Sequence, residues 1–355
     1  MKGIILHGGH GTRLRPLTHT GPKQLLPIAN KPMSQYCLES LIEAGITDIA
    51  IIIGGIGSNK VKEYYGTGEK FGVKITYVEQ DCPRGIAHAI RLCKDFVANE
   101  KFVVFLGDNI IQKNICGFVT AFERSDSKAS LLLCEVDNPS RFGIADLKDS
   151  VITKIMEKPK NPPTNFAVTG IYLLTPKIFD VIDRLKPSAR NEFEITDALQ
   201  MLLEEGNKIT YNMITDYWKD TGTPEDIIHA NKVILERMEP YILGIVENGA
   251  TISGNVMIGK GSVIKNGSKL TGPLIIGKNC TIGNGTRIGP NTSIGDNSKI
   301  ENCDVEDSII MSDCTIDCKI KIRRSIIAPN SSIMYKNGTS EEKILLLGEG
   351  TKIVL

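Results

Sequence analysis

From Ile252 to Ile300 an aliphatic residue recurs at every sixth position: Ile252, Ile258, Ile264, Leu270, Ile276, Ile282, Ile288, Ile294 and Ile300. Glycine follows it at 259, 277, 283, 289 and 295. A small residue stands four places on, at Ser262, Ser268, Cys280, Thr286, Thr292 and Ser298. An α-helix repeats every ~3.6 residues and a half-buried strand every two, so neither sustains such a period. A hexapeptide repeat is one flat side of a triangular parallel β-helix, with the aliphatic inward and the small residue at the corner. The register slips by one residue at Val305 and resumes at Ile310, Ile316 and Ile322. The last stretch, Lys343 to Leu355, reads as a pair of short strands around Gly348-Glu349-Gly350 that caps the coil's open end.

Residues 1 to about 240 have a different texture. Ile4-Ile5-Leu6, Ile49 to Ile53, Lys74 to Val78 and Phe102 to Leu106 read as buried strands. Helical stretches lie between them. One starts at Lys31-Pro32, where proline suits a first turn, and stops at Ala44-Gly45; another runs from Gly85 to about Val97. Strand–helix alternation predicts a mostly parallel, Rossmann-like sheet covered on both faces, which binds ligands at the carboxyl ends of its strands. A chain of 355 residues holds two such domains comfortably.

Composition excludes several classes of partner. With 42 basic against 41 acidic residues, no charge excess points to nucleic acid or an anionic membrane. No apolar run approaches the ~20 residues of a membrane span. Met1 to Leu6 is too short for a signal core, so a cytoplasmic location is expected. Nine cysteines are scattered without a CxxC pair, and no histidine follows His229 to complete a zinc site with Cys314 and Cys318. They are expected to be reduced and mostly packed.

The first strand runs into "LHGGHGTRLRPLT", residues 6 to 18. Clustered glycines let backbone N–H groups approach an anion closely, and Arg13 and Arg15 add charge-assisted bonds. The dinucleotide fingerprint fails, because Leu14 stands where its last glycine belongs, and no Gly-Lys-Ser/Thr makes a Walker loop. Taken alone, the loop also reads as a tight turn with solvated arginines, and His7 and His10, three apart, raise a metal reading that is weaker than a place bordering the pocket. It does not stand alone. Lys23 lies between prolines in "GPKQLLPIANKPM"; "FLGDN" places Asp108 past a strand end; "EKP" supplies Glu157 and Lys158; "YWKDTGTPED" brings Asp220 and the single tryptophan. Two aspartates with two lysines and an arginine suit phosphoryl-type transfer, where a divalent cation and fixed cations offset nucleotide charge.

Together these pieces resemble the sugar-phosphate nucleotidylyltransferases and, within that family, the long-form glucose-1-phosphate thymidylyltransferases, which carry a left-handed β-helix. Gly8 to Leu14 meets the family opening, Pro22-Lys23-Gln24-Leu25 its lysine motif, and "LGDN", "EKP", "AVTGIYL" (167–173), "EITD" (194–197) and Asp-Thr-Gly follow in family order. The resemblance implies a nucleotidyltransferase domain over 1–240 and a left-handed β-helix with a C-terminal strand pair over 241–355. It implies transfer of a nucleotidyl group from a nucleoside triphosphate, dTTP by preference, to a sugar 1-phosphate, glucose 1-phosphate by preference, with release of pyrophosphate.

By resemblance, Arg13 grips the β- and γ-phosphates, Lys23 stabilises the α-phosphate, Asp108 and Asp220 hold Mg2+, and Lys158 positions the sugar phosphate. Leu6, Gly8, Gly9, Gly11, Thr12, Gln80 and Gly85 fall at nucleotide positions; Asn109, Gly143, Glu157 and Val168 face the sugar. Gln80 offers a donor and an acceptor to a pyrimidine imide. His7 stands where the family has a small residue, and His88 where short thymidylyl enzymes have glutamine, so UTP remains an alternative to dTTP. A bifunctional acetyltransferase would need a histidine base in the coil, yet His7, His10, His19, His88 and His229 all precede it. A non-catalytic regulatory subunit would lack the phosphate and metal groups, which are present here. The coil's flat sides predict a homo-oligomer.

Overall fold

The computed structural model describes residues 1–9, 11–334, 342–343 and 345–354, with the backbone alone at 342–343 and 352–354. His10 lies outside the described residues, as do parts of the expected C-terminal cap. The chain opens with β1 (Lys2–Leu6), β2 (Pro27–Ile28), β3 (Lys31–Pro32), α1 (Met33–Glu43), β4 (Asp48–Ile53), α2 (Ser58–Tyr65) and β5 (Lys74–Glu79). It continues through α3 (Ile86–Arg91), α4 (Lys94–Val97), β6 (Phe102–Leu106), β7 (Asn109–Ile111), α5 (Cys116–Arg124), β8 (Ala129–Glu135), β9 (Gly143–Lys148), β10 (Val151–Glu157) and β11 (Phe166–Leu174). The stretch before the coil holds α6 (Lys177–Ile182), α7 (Ile195–Glu204), β12 (Ile209–Ile214), β13 (Trp218–Asp220) and α8 (Pro224–Leu235). Contacts divide the chain into a unit of residues 1–10 with 33–220, and a second of 11–32 with 221–355.

The first unit is built on one sheet in the order β10-β9-β11-β6-β1-β4-β5, with β8 pairing β11 and β12. The four expected strands are its parallel half, β6-β1-β4-β5. The apolar runs of β1, β4 and β6 are buried on both faces, as a covered parallel sheet requires, whereas the edge strand β5 is only partly buried. Beyond β6 the sheet turns antiparallel through β11, which pairs β6 and β8. The helix expected at Lys31-Pro32 begins instead at Met33, because Pro32 is taken into a short antiparallel pair opposite Pro27. It stops as expected, at Gly45, whose φ of 77° suits the residue past a helix end. The helix expected from Gly85 to Val97 is two, broken at Leu92-Cys93.

The second unit contains the coil. Three parallel sheets stack along it, and inward aliphatics pair one full turn apart: Ile258 with Ile276 and Ile276 with Ile294, Ile264 with Ile282 and Ile282 with Ile300. The slip shows as Ile288 pairing Val305. Corner serines are small because they turn inward to bond backbone: Ser262 Oγ donates to the Gly277 carbonyl (2.7 Å), and Ser268 Oγ to that of Gly283 (2.7 Å). Asn279, Asn291, Asn297 and Asn330 turn other corners at positive φ, where asparagine is tolerated best after glycine. Together these features make a left-handed β-helix. The two strands expected after Lys343 form around Gly348–Gly350, but they are not a pair. Leu346–Leu347 adds to Ile326–Ile327 and Lys352–Val354 to Ser332–Met334, because the coil turns a corner between them.

Segments from outside the expected 241–355 boundary pack with the coil. Thr223 and Asp226 form a capping box that starts α8. From α8, Asn231 accepts from Ala29 N (2.8 Å) and Ser293 Oγ (2.6 Å) and donates to the Asn291 carbonyl (3.0 Å). The β2–β3 hairpin and α8 are thereby fastened to the coil strand Thr292–Ile294. All nine cysteines are unpaired, and Cys37, Cys93, Cys280, Cys303, Cys314 and Cys318 are buried. Among the described residues no helix is long and apolar enough to cross a membrane.

Candidate active site

Four parallel strands of the first unit end side by side, and Leu6, Gly8, Gly9, Gln80, Asp108 and Asn109 lie at or just past their carboxyl ends. Leu6 pairs with Leu106 on one side and Ile52 on the other. Beyond Leu106, Gly107 N donates back to the Leu6 carbonyl (3.0 Å), which sets Asp108 beside the start of the glycine loop. On the other side Gln80 N donates to the Ile53 carbonyl (2.8 Å) at the end of β5. A Cβ on Gly8 would lie 3.7 Å from Gln80 Oε1, and Gly9 has a φ of 95° that a side chain would strain.

Asp108 and Asp220, 112 positions apart, are brought together by a short ladder. β13 pairs antiparallel with β7, so that Asp220 stands opposite Asn109, the neighbour of Asp108. Asn109 is the joint of this arrangement and is 2% exposed. Its Oδ1 accepts from Trp218 Nε1 (2.7 Å) and Gly170 N (3.1 Å), and its Nδ2 donates to Asp108 Oδ1 (3.1 Å). The indole meets Phe142 edge-on at 5.5 Å. Among the described residues no three His, Cys, Asp or Glu side chains gather as a metal site, so a cation here would take two carboxylates and find its other ligands elsewhere.

A second cluster lies on the antiparallel side. Gly143 pairs with Glu157, and a Cβ on Gly143 would come within 2.6 Å of Thr196 Cγ2. Glu157 accepts from Thr196 Oγ1 (2.9 Å) and Arg190 (3.0 Å), with Lys158 Nζ 3.4 Å away. Arg190 also grips Glu194, which is 3% exposed, through both carboxylate oxygens (2.8 and 2.9 Å). Lys158 has a φ of 40°, and its N donates to the Phe142 carbonyl (3.1 Å). Val168 is buried in β11. Burial, then the nearby Glu194 and Glu157, raise the Asp197 carboxyl above its ordinary range.

Gln80 and His88 form a third group. Gln80 Nε2 lies 2.9 Å from His88 Nδ1, and the imidazole stacks on Phe193 at 6.3 Å. Gly85 has a φ of 101°, and a Cβ there would come within 2.5 Å of the Phe193 carbonyl oxygen, so only glycine admits this approach. His7 is buried against the edge of Tyr65 (5.9 Å), and neither ring nitrogen has a hydrogen-bond partner among the described residues. Burial pushes its pKa down to about 3, against the opposing pull of Asp108, so it is a neutral ring.

Gly11, Thr12, Arg13 and Lys23 belong to the second unit. Gly11, at a φ of 58°, leads into a single 3-10 turn over Thr12–Leu14. Buried Leu14 anchors that turn and leaves Arg13 outward, its guanidinium against Gly222, where a Cβ would lie 3.0 Å from Nη1. Lys23 opens another such turn, Lys23–Leu25.

The sequence reading passed over Arg190 entirely, and gave His88, Trp218, Glu194 and Thr196 no structural role. "EITD" carried a signal for the last two; Arg190 carried none, since its partner Glu157 is 33 residues away.

Comparison with known proteins agrees with this geometry. A family model described as nucleotidyl transferase matches residues 2–237, and one described as the GMPPB C-terminal domain matches 270–353. The chain is 45% identical over 357 residues, covering all of both, to the low-salt glycan biosynthesis nucleotidyltransferase Agl11 of Haloferax volcanii. It is 42% identical to a glucose-1-phosphate thymidylyltransferase of Streptomyces antibioticus, over 74% of each chain. A crystal structure of a Bacillus anthracis protein assigned as a glucose-1-phosphate thymidylyltransferase, with sucrose bound, is 45% identical and superposes with a TM-score of 0.63, over 66% of this chain and 94% of that one. The chain is therefore a member of the nucleotidyl transferase family, and its activity is that of a sugar-phosphate nucleotidyltransferase.

Proposed function

We propose that this protein transfers a thymidylyl group from dTTP to glucose 1-phosphate. A sugar phosphate oxygen forms a bond to the α-phosphorus, the bond from that phosphorus to the bridging oxygen breaks, and pyrophosphate leaves with the electron pair. The observation that carries the reading is the β7–β13 ladder, which sets Asp220 opposite the residue next to Asp108, beside the glycine loop. Two carboxylates supply hard oxygen donors, and Mg2+ typically takes one or two of these with water and substrate phosphates, so this pair fits it. When bound there it would offset charge at the α-phosphate.

The nucleophile is already an anion and needs no general base, so the protein's work is positioning and electrostatics. Arg13 presents a planar fork to the β- and γ-phosphates and Lys23 a point charge to the α-phosphate. On the family resemblance, the main chain of Leu6, Gly8, Gly9, Gly11 and Thr12 is assigned to the nucleotide and Lys158 to the sugar phosphate. Glu157, with Gly143 and Val168, faces the sugar hydroxyls. Asn109 keeps one N–H for the sugar, since its other donor and its oxygen are committed. Gln80 and Gly85 meet the base. The chain associates with copies of itself through the coil, whose first turn leaves Ile242, Leu243 and Ile245 more than half exposed.

The test is a pyrophosphate-release screen of the common nucleoside triphosphates against several sugar 1-phosphates. The reading expects dTTP with glucose 1-phosphate to give the highest kcat/KM. A purine triphosphate in first place would refute it.

A further inference from the structure

A glutamine amide reads a pyrimidine only if its two ends are the right way round. Thymine and uracil present an N3–H donor, whereas cytosine presents an N3 acceptor beside an amino group. A carbonyl oxygen toward the base suits the first, and an NH2 suits the second. A glutamine free to rotate offers both. Gln80 is not free: it is 7% exposed, and its Nε2 sits 2.9 Å from His88 Nδ1. Its Oε1 points the other way, toward the backbone of Gly8 at the end of β1, at 3.7 Å from where a Cβ would stand.

We propose that neutral His88 holds the Gln80 amide with its NH2 toward the ring and its oxygen toward the base, so that the site selects a base bearing an N3–H. The inference rests on the proposed thymidylyl transfer and names what sets its choice of base. His88 is a positioning residue acting through Gln80. In this arrangement Gln80 Nε2–H donates to the Nδ1 lone pair, and the ring carries its proton on Nε2. A doubly protonated ring has no lone pair on Nδ1. It can only donate, and the amide must then turn its oxygen to His88 and its NH2 to the base.

The surroundings favour the neutral ring. The face of Phe193 covers it, and the strand-to-helix loop brings the ion pair Arg84–Asp81 (3.0 Å). Burial, then Arg84, lowers the His88 pKa below its ordinary value; Asp81 pulls the other way, and Arg91 adds a smaller push downward. Near neutral pH the lone pair is therefore available, and acidification removes it.

The experiment measures kcat/KM for dTTP and dCTP, and for UTP and CTP, from about pH 8 to about pH 5.5. The proteins are the wild type, His88→Gln, Gln80→Ala and the double variant, with folding checked by circular dichroism at each pH. The wild-type preference for the imide base is expected to fall at least ~10-fold on acidification, the scale of one misdirected buried hydrogen bond. In His88→Gln, which does not titrate, the ratio should not vary with pH. In Gln80→Ala it should be near unity, and adding His88→Gln should change nothing. A wild-type ratio independent of pH, or a pH dependence that survives His88→Gln, overturns the inference while leaving dTTP as the substrate. A purine triphosphate as best substrate overturns the thymidylyl reading and this inference with it.

Discussion

Replacing Asn109 by alanine is expected to damage both stability and turnover, and the structure gives the scale. Asn109 Oδ1 is the acceptor for the buried Gly170 N–H (3.1 Å) and for the half-buried Trp218 Nε1–H (2.7 Å). A buried donor left unsatisfied costs about 1–3 kcal/mol, and the half-buried indole, which water reaches in part, adds less, for about 2–4 kcal/mol together. Against a total of about 5–15 kcal/mol this is a large fraction. For a unit of this size it should lower the melting temperature on the order of 10 °C. Asp108 also loses the N–H that holds its Oδ1 at 3.1 Å. Asn109→Asp separates the two effects. It keeps an acceptor for both donors but puts a carboxylate where the amide met Asp108, and like charges at that separation repel. Two buried carboxylates that close share one proton, so Asn109→Asp should retain more stability than Asn109→Ala while still losing at least ~10-fold in kcat. The assay is denaturant unfolding with pyrophosphate-release kinetics on both variants. If Asn109→Ala unfolds within ~0.5 kcal/mol of wild type, the hub described here carries no weight.

Three other perturbations test separate parts of the molecule. Arg190→Met removes the bidentate partner of buried Glu194 and one ligand of Glu157. It should raise KM for the sugar phosphate far more than KM for the triphosphate, and equal changes in both would contradict the link to the sugar side. Asn231→Ala strips three buried hydrogen bonds from the junction of α8, the β2–β3 hairpin and the coil, and should cost about 2–4 kcal/mol by urea unfolding. A change near zero would refute that fastening. His7 has a folded pKa of about 3 against an ordinary 6.5. Between those values the unfolded chain binds a proton that the folded chain does not, so stability is full above pH 6.5 and declines as pH falls toward 3, by about 1.4 kcal/mol per unit at most. Unfolding free energies from about pH 7 to about pH 5 should therefore fall less steeply in His7→Leu than in wild type, and equal slopes would refute the assignment.

The coil was legible because its period states its geometry: Ile258, Ile276 and Ile294 sit in register one turn apart, and the one-residue slip at Val305 reappears in the pairing of Ile288 with Val305. Strands β1, β4 and β6 of the parallel half were legible because burial on both faces leaves continuous apolar runs. The antiparallel half was not: β9 and β10 carry polar faces and pair through register shifts. The strand pair expected at the C-terminus failed for a related reason. Two strands flanking a glycine turn look like a hairpin locally, and only the three-sided coil sends them to different sheets. In the site, residues at strand ends were visible from motifs, such as Asp108 after β6. The ties that orient them were not. Trp218 reaches Asn109 across 109 positions, and Arg190 reaches Glu157 across 33, and no local pattern encodes contacts of that range.

The central claim is that Asp108 and Asp220, brought together by the β7–β13 ladder, act as one cation-binding pair in nucleotidyl transfer. Its most direct test is pyrophosphate release by Asp108→Asn and Asp220→Asn at saturating magnesium, with melting curves on the same samples. Each variant is expected to melt close to wild type and to lose at least ~1,000-fold in kcat, about 4 kcal/mol of transition-state stabilisation. Near-native kcat in either variant, with its fold intact, would contradict that claim.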